Sequence, residues 1–192
     1  MNLSKDEEVK AAILEAAKNV FQKWGLKKTT MEDIANEAGK GKSTLYYYYK
    51  SKDDLFGELT MSEFTIMISK AKLAIQQEKT AKGKLKKYIS TMLIELKQTV
   101  SLFPLLKGEI KGNKELIESL LKQVEETEER IIIEILKQGL ISGEFHFLSK
   151  SDLNKAANVI VGIVRGLELF LFLDNDDIEK IEIITRMIAE GI

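Results

Sequence analysis

The stretch Ala38-Gly39-Lys40-Gly41-Lys42-Ser43-Thr44-Leu45-Tyr46-Tyr47-Tyr48-Tyr49-Lys50-Ser51-Lys52 decides the fold. Gly39 closes a preceding helix, and Lys40 with Gly41 makes a tight turn, because glycine enters backbone regions that other residues avoid. A helix is expected from about Lys42 to Tyr49. Residues four apart share a helix face. Leu45 and Tyr49 therefore turn inward together, while Lys42 with Tyr46 and Ser43 with Tyr47 turn outward. Four successive tyrosines cannot all be buried on one helix, so at least one or two need another partner.

Working back from this turn, a helix of about two turns starts at Thr29-Thr30 and turns Ile34, Ala35 and Ala38 inward. Thr29–Glu32 and Thr30–Asp33 both fit a capping pattern, and either threonine can be the cap. Before it, Val9, Ile13, Ala16, Ala17, Val20, Phe21 and Trp24 recur at spacings of three and four, one apolar stripe of a first helix. Gly25 ends that helix through its access to positive φ. Two short helices joined by a glycine turn make a helix-turn-helix unit.

Working forward, the pattern stays helical. Ser51 caps a fourth helix whose stripe is Leu55, Leu59, Phe64, Ile68, Ala71 and Ile75. Further helices are expected over Lys84–Val100, in a short piece between Pro104 and Gly112, and over Lys114–Gln138. The last of these carries Leu116, Ile117, Leu120, Leu121, Val124, Ile131, Ile132, Ile135 and Leu136. Gly139 to Lys150 reads as loop. Ser151 caps a helix that is apolar nearly all round. Asp176-Asp177 opens a last one, with Ile178, Ile181, Ile184, Met187 and Ile188 on a face. No β pattern and no internal repeat appears. The expectation is an all-α chain: a three-helix head over residues 1–50 and a helical bundle body over residues 51–192.

Composition narrows the function. The 192 residues are 44 % hydrophobic and 31 % charged, which suits a folded chain. Cysteine is absent and His146 is the only histidine, so no disulfide, thiolate metal site or cysteine nucleophile exists. No metal site and no cofactor are expected. Met1 to Lys10 is polar, and the most apolar window, Ala156 to Leu173, is interrupted by Asn158, Arg165 and Glu168. Neither a signal segment nor a membrane span is read, and a cytoplasmic location is expected. The net charge is −1, but residues 1–56 carry ten Lys against nine Asp and Glu. Within Gly39 to Lys52 stand Lys40, Lys42, Lys50 and Lys52 with no acid. Such a local positive surface suits phosphate, since condensed counterions leave where lysines touch a duplex.

The residues Ile13-Leu14 with Ala16-Ala17, Phe21 with Gly25, Thr29-Thr30, Ile34-Ala35, Ala38-Gly39 and Lys42 through Leu55 resemble the DNA-binding head of the tetracycline-repressor (TetR) family. About 45 residues carry the resemblance, and the body matches only in architecture. The resemblance implies that Lys42, Ser43, Thr44, Tyr46, Tyr47 and Tyr48 sit in or beside the major groove of double-stranded DNA. It implies that Thr30 and Lys52 touch phosphates, and that Leu45 and Tyr49 are core. The chemistry agrees: lysine reaches guanine O6 and N7, a tyrosine ring packs on a thymine methyl, and hydroxyls suit phosphate oxygens. Lys40 stands where the family usually has a small apolar residue, Gly41 replaces a serine cap, and Tyr48 replaces a common histidine. These bear on base preference.

The resemblance further implies a homodimer joined by its last two helices. Gly162 and Gly166, four apart, would let a partner helix approach, with Phe170, Phe172, Ile181 and Ile184 as contributors. The same glycine spacing would also relieve crowding within one chain. An apolar small-molecule effector would lie among Met61, Phe64, Met67, Met92, Leu96, Phe103, Leu106 and Ile110, since methionines and aromatics suit an adaptable cavity, with ordinary core packing as the competing reading of each. The function expected is a ligand-responsive transcriptional regulator, by default a repressor released from a near-palindromic operator. A helical protein-interaction module is the competing class.

An enzyme is not expected. Gly39 through Thr44 resembles the end of a phosphate-binding P-loop, but that loop needs glycine where Asn36 stands and a strand before it. Glu125, Glu126, Glu128 and Glu129 read as a solvated helix face. His146, between Phe145 and Phe147, reads as structural or exposed.

Overall fold

A computed structural model gives the fold, and the residues it describes are 4–99, 114–173 and 178–191. Among them every regular element is helical. The helices are α1 (Lys5–Lys28), α2 (Met31–Glu37), α3 (Lys42–Tyr48), α4 (Lys52–Ile75), α5 (Ala81–Thr99), α6 (Lys114–Ser142), α7 (Leu153–Leu173) and α8 (Ile178–Gly191), with a 3₁₀ turn over Lys150–Asp152. The short piece expected between Pro104 and Gly112 and the opening at Asp176-Asp177 lie outside the described residues. No helix among the described residues is long and apolar enough to cross a membrane.

Packing divides the chain into two compact units, Met1–Glu63 with Thr99–Leu121 and Phe64–Gln98 with Lys122–Ile192. The first holds the head. Ile13, Ala16, Ala17, Val20 and Phe21 of α1 meet Met31, Ile34 and Ala35 of α2, Leu45 and Tyr49 around α3, and Leu55, Phe56 and Leu59 of α4 in one core. Burying a large apolar side chain is worth about 1.5–3 kcal/mol, and helices as short as α2 and α3 depend on that sum more than on their own propensity. The Phe21 and Phe56 rings meet edge to face at 5.4 Å. The Lys18 ammonium donates to Glu63 at 2.8 Å beside them.

Local chemistry sets the helix ends. Ser4 and Glu7 cap α1 reciprocally, and those hydrogen bonds hold the Glu7 carboxyl below its ordinary value. The helical path breaks at Gly25 (φ 79°, ψ 162°), as expected, although helical hydrogen bonding resumes to Lys28. Leu26 then drops into the core. Trp24 departs from the expected stripe: it is 54 % exposed, with the Lys23 ammonium 4.9 Å from its ring centroid. A spacing rule that holds to Phe21 fails one turn later, just before the break at Gly25.

The two threonines divide their work. Thr30 caps α2, its hydroxyl accepting from the Asp33 N–H at 3.2 Å while the Asp33 carboxylate accepts from the Thr30 N–H at 2.9 Å. Thr29 is buried and donates its hydroxyl to the Gly25 carbonyl at 2.7 Å. Gly39 closes α2 at φ 60°.

The second unit buries Phe64, Met67 and Ile68 of α4, Leu85, Tyr88 and Met92 of α5, Ile132 and Leu136 of α6, Ile160 and Val164 of α7 and Ile181 of α8. Three helix boundaries differ from the sequence expectation. Helix α6 runs through Gly139 to Ser142 and is ended by Gly143 (φ 77°). Gly139 is small because the Phe145 ring sits where its Cβ would be, at 2.1 Å. Ser149, not Ser151, opens the way into α7, paired reciprocally with Asp152. Helix α5 starts earlier than expected because Glu144 caps it: its carboxylate accepts from the Ala81 and Lys82 N–H groups, both at 3.0 Å. Those bonds hold Glu144 below its ordinary value, so this contribution is present at neutral pH and fades as pH falls through the lowered value.

Candidate nucleic-acid interface

Helix α3 is anchored from beneath and open above. Leu45 and Tyr49 are buried in the head core. Burial, and then the Glu58 charge, push the Tyr49 phenol well above its ordinary value, so it stays neutral. On the other face Lys42 and Ser43 are exposed, Tyr46 is 48 % exposed and Tyr47 is 79 % exposed. Thr44 is half-buried at the edge. A cation, hydroxyls and flat rings thus share one side of a helix whose other side is fixed. That combination can meet phosphates and base edges together. The Gly39–Thr44 segment follows helix α2 rather than a strand.

Individual side chains differ in how free they are. The Lys42 ammonium rests on Glu32 of α2 at 3.3 Å. Both groups are exposed, and such pairs are worth about 0–1 kcal/mol, so a phosphate can replace the carboxylate at small cost. Thr30 is exposed, but its hydroxyl is occupied as the α2 cap and donates to Asp33 at 2.7 Å. Tyr48 is half-buried against the core, and its hydroxyl donates to Asp6 of α1 at 2.9 Å. That bond raises the phenol from its ordinary value. The Tyr48 ring meets Tyr47 edge to face at 5.0 Å.

Lys52, for which the resemblance implies a phosphate contact, is engaged within the head. Its ammonium donates to the carbonyls of Leu26 at 2.8 Å, Thr29 at 3.1 Å and Lys27 at 3.3 Å. An ammonium has three donors, and all three are used. Lys52 therefore satisfies the last carbonyls of α1 and ties α4 to them, where its charge also complements the helix end. We predict that Lys52→Ala lowers stability by about 2 kcal/mol, as for hydrogen bonds to charged groups. An unchanged melting temperature would return Lys52 to the exposed set. Asp6 and Glu32, which touch the α3 side chains, were not expected from sequence as partners of α3. Nothing in their spacing signals partners 42 and ten residues away.

The body residues are placed as follows. Phe64, Met67, Met92 and Leu96 are buried and Met61 is half-buried, whereas Phe103, Leu106 and Ile110 lie outside the described residues. Gly162 and Gly166 are exposed, and a Cβ added to either meets nothing within 4 Å. Among the described residues, no intrachain crowding accounts for these glycines. The side chains of Phe170 and Phe172 lie outside the described set. Ile184 is half-buried, and Ile181 is buried inside its own subunit, which removes it from any surface offered to a partner. Apolar side chains that are exposed on α7 and α8 are Val159, Ile163, Ile183 and Met187. The acidic run on α6 also departs from expectation. Glu128 is buried and accepts from the Arg165 guanidinium of α7 at 2.6 Å, and Glu129 accepts from Asn158 at 2.8 Å. His146 is exposed, edge to face with Phe147.

Residues 13–59 match the family model of bacterial regulatory proteins of the tetR family. A stretch of 67 residues is 40 % identical to YhgD, an uncharacterized helix-turn-helix transcriptional regulator of Bacillus subtilis, and spans 35 % of this chain and 35 % of that regulator. A longer match of 152 residues at 26 % identity covers 79 % of this chain and 77 % of the fatty acid metabolism regulator protein of Bacillus subtilis. Among solved structures, the Bacillus subtilis transcriptional regulator FadR, in complex with stearoyl-CoA, shares the fold. The TM-score is 0.78 and the identity 24 %, over 95 % of this chain and 98 % of FadR.

Proposed function

We propose that the chain, whose residues 13–59 match the family model of bacterial regulatory proteins of the tetR family, is a DNA-binding repressor released by a long-chain acyl-CoA. Residues 1–50 read DNA and residues 51–192 dimerise and sense the effector. The protein acts in the cytoplasm, needs no cofactor and is not an enzyme. The observation that carries this reading is the outward face of α3, with Lys42, Ser43, Tyr46 and Tyr47 presented over the buried Leu45 and Tyr49. Thr44 at its edge and Thr30 at the start of α2 complete the contact set. Tyr48 contributes from behind. The exposed Val159, Ile163, Ile183 and Met187, beside the open Gly162 and Gly166, support a homodimer seam on α7 and α8. A symmetric pair presents two recognition helices about 34–36 Å apart, one turn of B-DNA, to a near-palindromic operator.

The effector reading is supported by the likeness to a fatty acid metabolism regulator and to a fold relative in complex with stearoyl-CoA. The buried methionines and aromatics of the body suit an acyl chain. An effector releases DNA by as much as it prefers the released state.

Two measurements test the DNA reading. Binding to a duplex selected from a random pool is expected to fall steeply with salt, and Lys42→Ala to reduce the slope by about one. A flat slope would leave the interaction-module class standing. Tyr47→Ala is expected to cost about 1–3 kcal/mol in specific binding. If it weakens selected and random duplexes equally, Tyr47 serves as a phosphate contact alone.

A further inference from the structure

We infer that Asp6, in the first turn of α1, is a positioning residue for DNA recognition: through Tyr48 it sets the orientation of Tyr47. The inference rests on the reading of α3 as the recognition helix and goes beyond it. Three observations carry it. The Asp6 carboxylate accepts the Tyr48 hydroxyl hydrogen at 2.9 Å, across 42 residues of sequence. The Tyr48 ring is wedged between the head core and Tyr47, which it meets edge to face at 5.0 Å and 88°. Tyr47, the most exposed of the four tyrosines, stands over solvent at 79 % exposure, and Tyr48 is its described ring contact.

A tyrosine that reads a base edge must be held near its productive rotamer before binding, or ordering it detracts from affinity. The hydroxyl of Tyr48 fixes one ring, and that ring fixes the next. Asp6 itself is an unfavourable charge to place near DNA, because it repels phosphates. Positioning and repulsion therefore act in opposite directions, and this separates them experimentally. Loss of Asp6 removes the repulsion for every duplex but removes the positioning only for the sequence that Tyr47 reads.

The test uses the full chain with Asp6→Ala, Tyr48→Phe and the double variant. Each is measured on a duplex selected from a random pool and on a scrambled duplex. Tyr47 ring proton shifts are recorded in the DNA-free proteins. Asp6→Ala is expected to bind the scrambled duplex no more weakly than the parent and the selected duplex about threefold to tenfold more weakly, the worth of one hydrogen bond. Tyr48→Phe, which keeps the Asp6 charge, should weaken the selected duplex at least as much, and the double variant should be no worse than Tyr48→Phe alone, because both remove the same bond. The Tyr47 ring shifts should move in all three. Additive losses would mean that the Tyr48 hydroxyl acts on DNA directly and would overturn the inference. So would an Asp6→Ala variant that strengthens both duplexes equally, or Tyr47 shifts that stay in place. If no duplex is bound while the shifts still move, the regulator reading fails, and the tie is a structural brace of the head with no part in recognition.

Discussion

Glu128→Ala is expected to lower stability by about 3–5 kcal/mol, the range for breaking a buried ion pair from one side. The Glu128 side chain is only 2 % exposed and its Arg165 partner 20 %, at 2.6 Å. Removing the carboxylate leaves the guanidinium in a place that water reaches poorly. Exposed pairs elsewhere do not carry this weight: Lys137 with Glu134 is half open to solvent on both sides and is worth little. The control is to replace both groups with leucine, which removes the desolvation penalty along with the attraction and is expected to recover most of the loss. Chemical denaturation at fixed protein concentration measures both, since dimerisation would shift the midpoint. A single Glu128→Ala variant within about 0.5 kcal/mol of the parent, the scale of an ordinary surface change, would show that the pair is solvated in solution.

The second large effect is expected at Gly139. On propensity alone, alanine in the interior of α6 should stabilise by about 1 kcal/mol. Packing reverses the sign. An added Cβ would stand 2.1 Å from Cδ2 and 2.3 Å from Cε2 of Phe145, and 2.9 Å from the Cβ of Ala81. Phe145 is fully buried, so its ring has nowhere to move without opening the unit. Overpacking costs about 1–3 kcal/mol and sometimes more, and an overlap this deep belongs at the upper end. A net loss of about 3 kcal/mol is expected for Gly139→Ala, read as a lowered denaturation midpoint. Phe145→Leu in the same chain should restore part of it by vacating the ring edge. A Gly139→Ala chain as stable as the parent would mean that the ring does not occupy that position.

Both predictions concern positions whose sequence reading misjudged their surroundings. Gly139 followed an apolar stripe and was read as a helix end, the commonest use of glycine there. Its actual use, making room for an aromatic six residues later, leaves no local signature. Glu128 sits in a run of four glutamates, and a run of like charges is ordinarily a solvated face. One of the four turns inward because Arg165 on another helix meets it. Lys52 and Tyr48 were assigned to DNA by resemblance, and their polar atoms turned out to be occupied by α1. In each case the residue type was compatible with both uses, and only the identity of a distant partner separated them.

Periodicity was reliable where the helix itself defines the geometry. The inward pair Leu45 and Tyr49 and the outward pairs Lys42 with Tyr46 and Ser43 with Tyr47 follow from 3.6 residues per turn and need no neighbour to be known. The stripe from Ile13 to Phe21, the turn at Gly39 and the cap at Ser51 are equally local. The ambiguity between Thr29 and Thr30 shows where local rules stop. Both satisfy the capping pattern, and burial of Thr29 beneath the Gly25 break leaves Thr30 as the cap.

Sequence alone therefore determined the helices, the face that α3 turns to solvent and the likeness of the head to the tetR family, because backbone hydrogen bonding and side-chain spacing operate within a few residues. Tertiary structure decided which polar groups on those faces remain available. It engaged Lys52 and Tyr48 with α1, drew Glu128 into the body and left Gly162 and Gly166 open. The physical reason is that a hydrogen bond or ion pair depends on distances between chain segments, and a one-dimensional pattern contains no such distances.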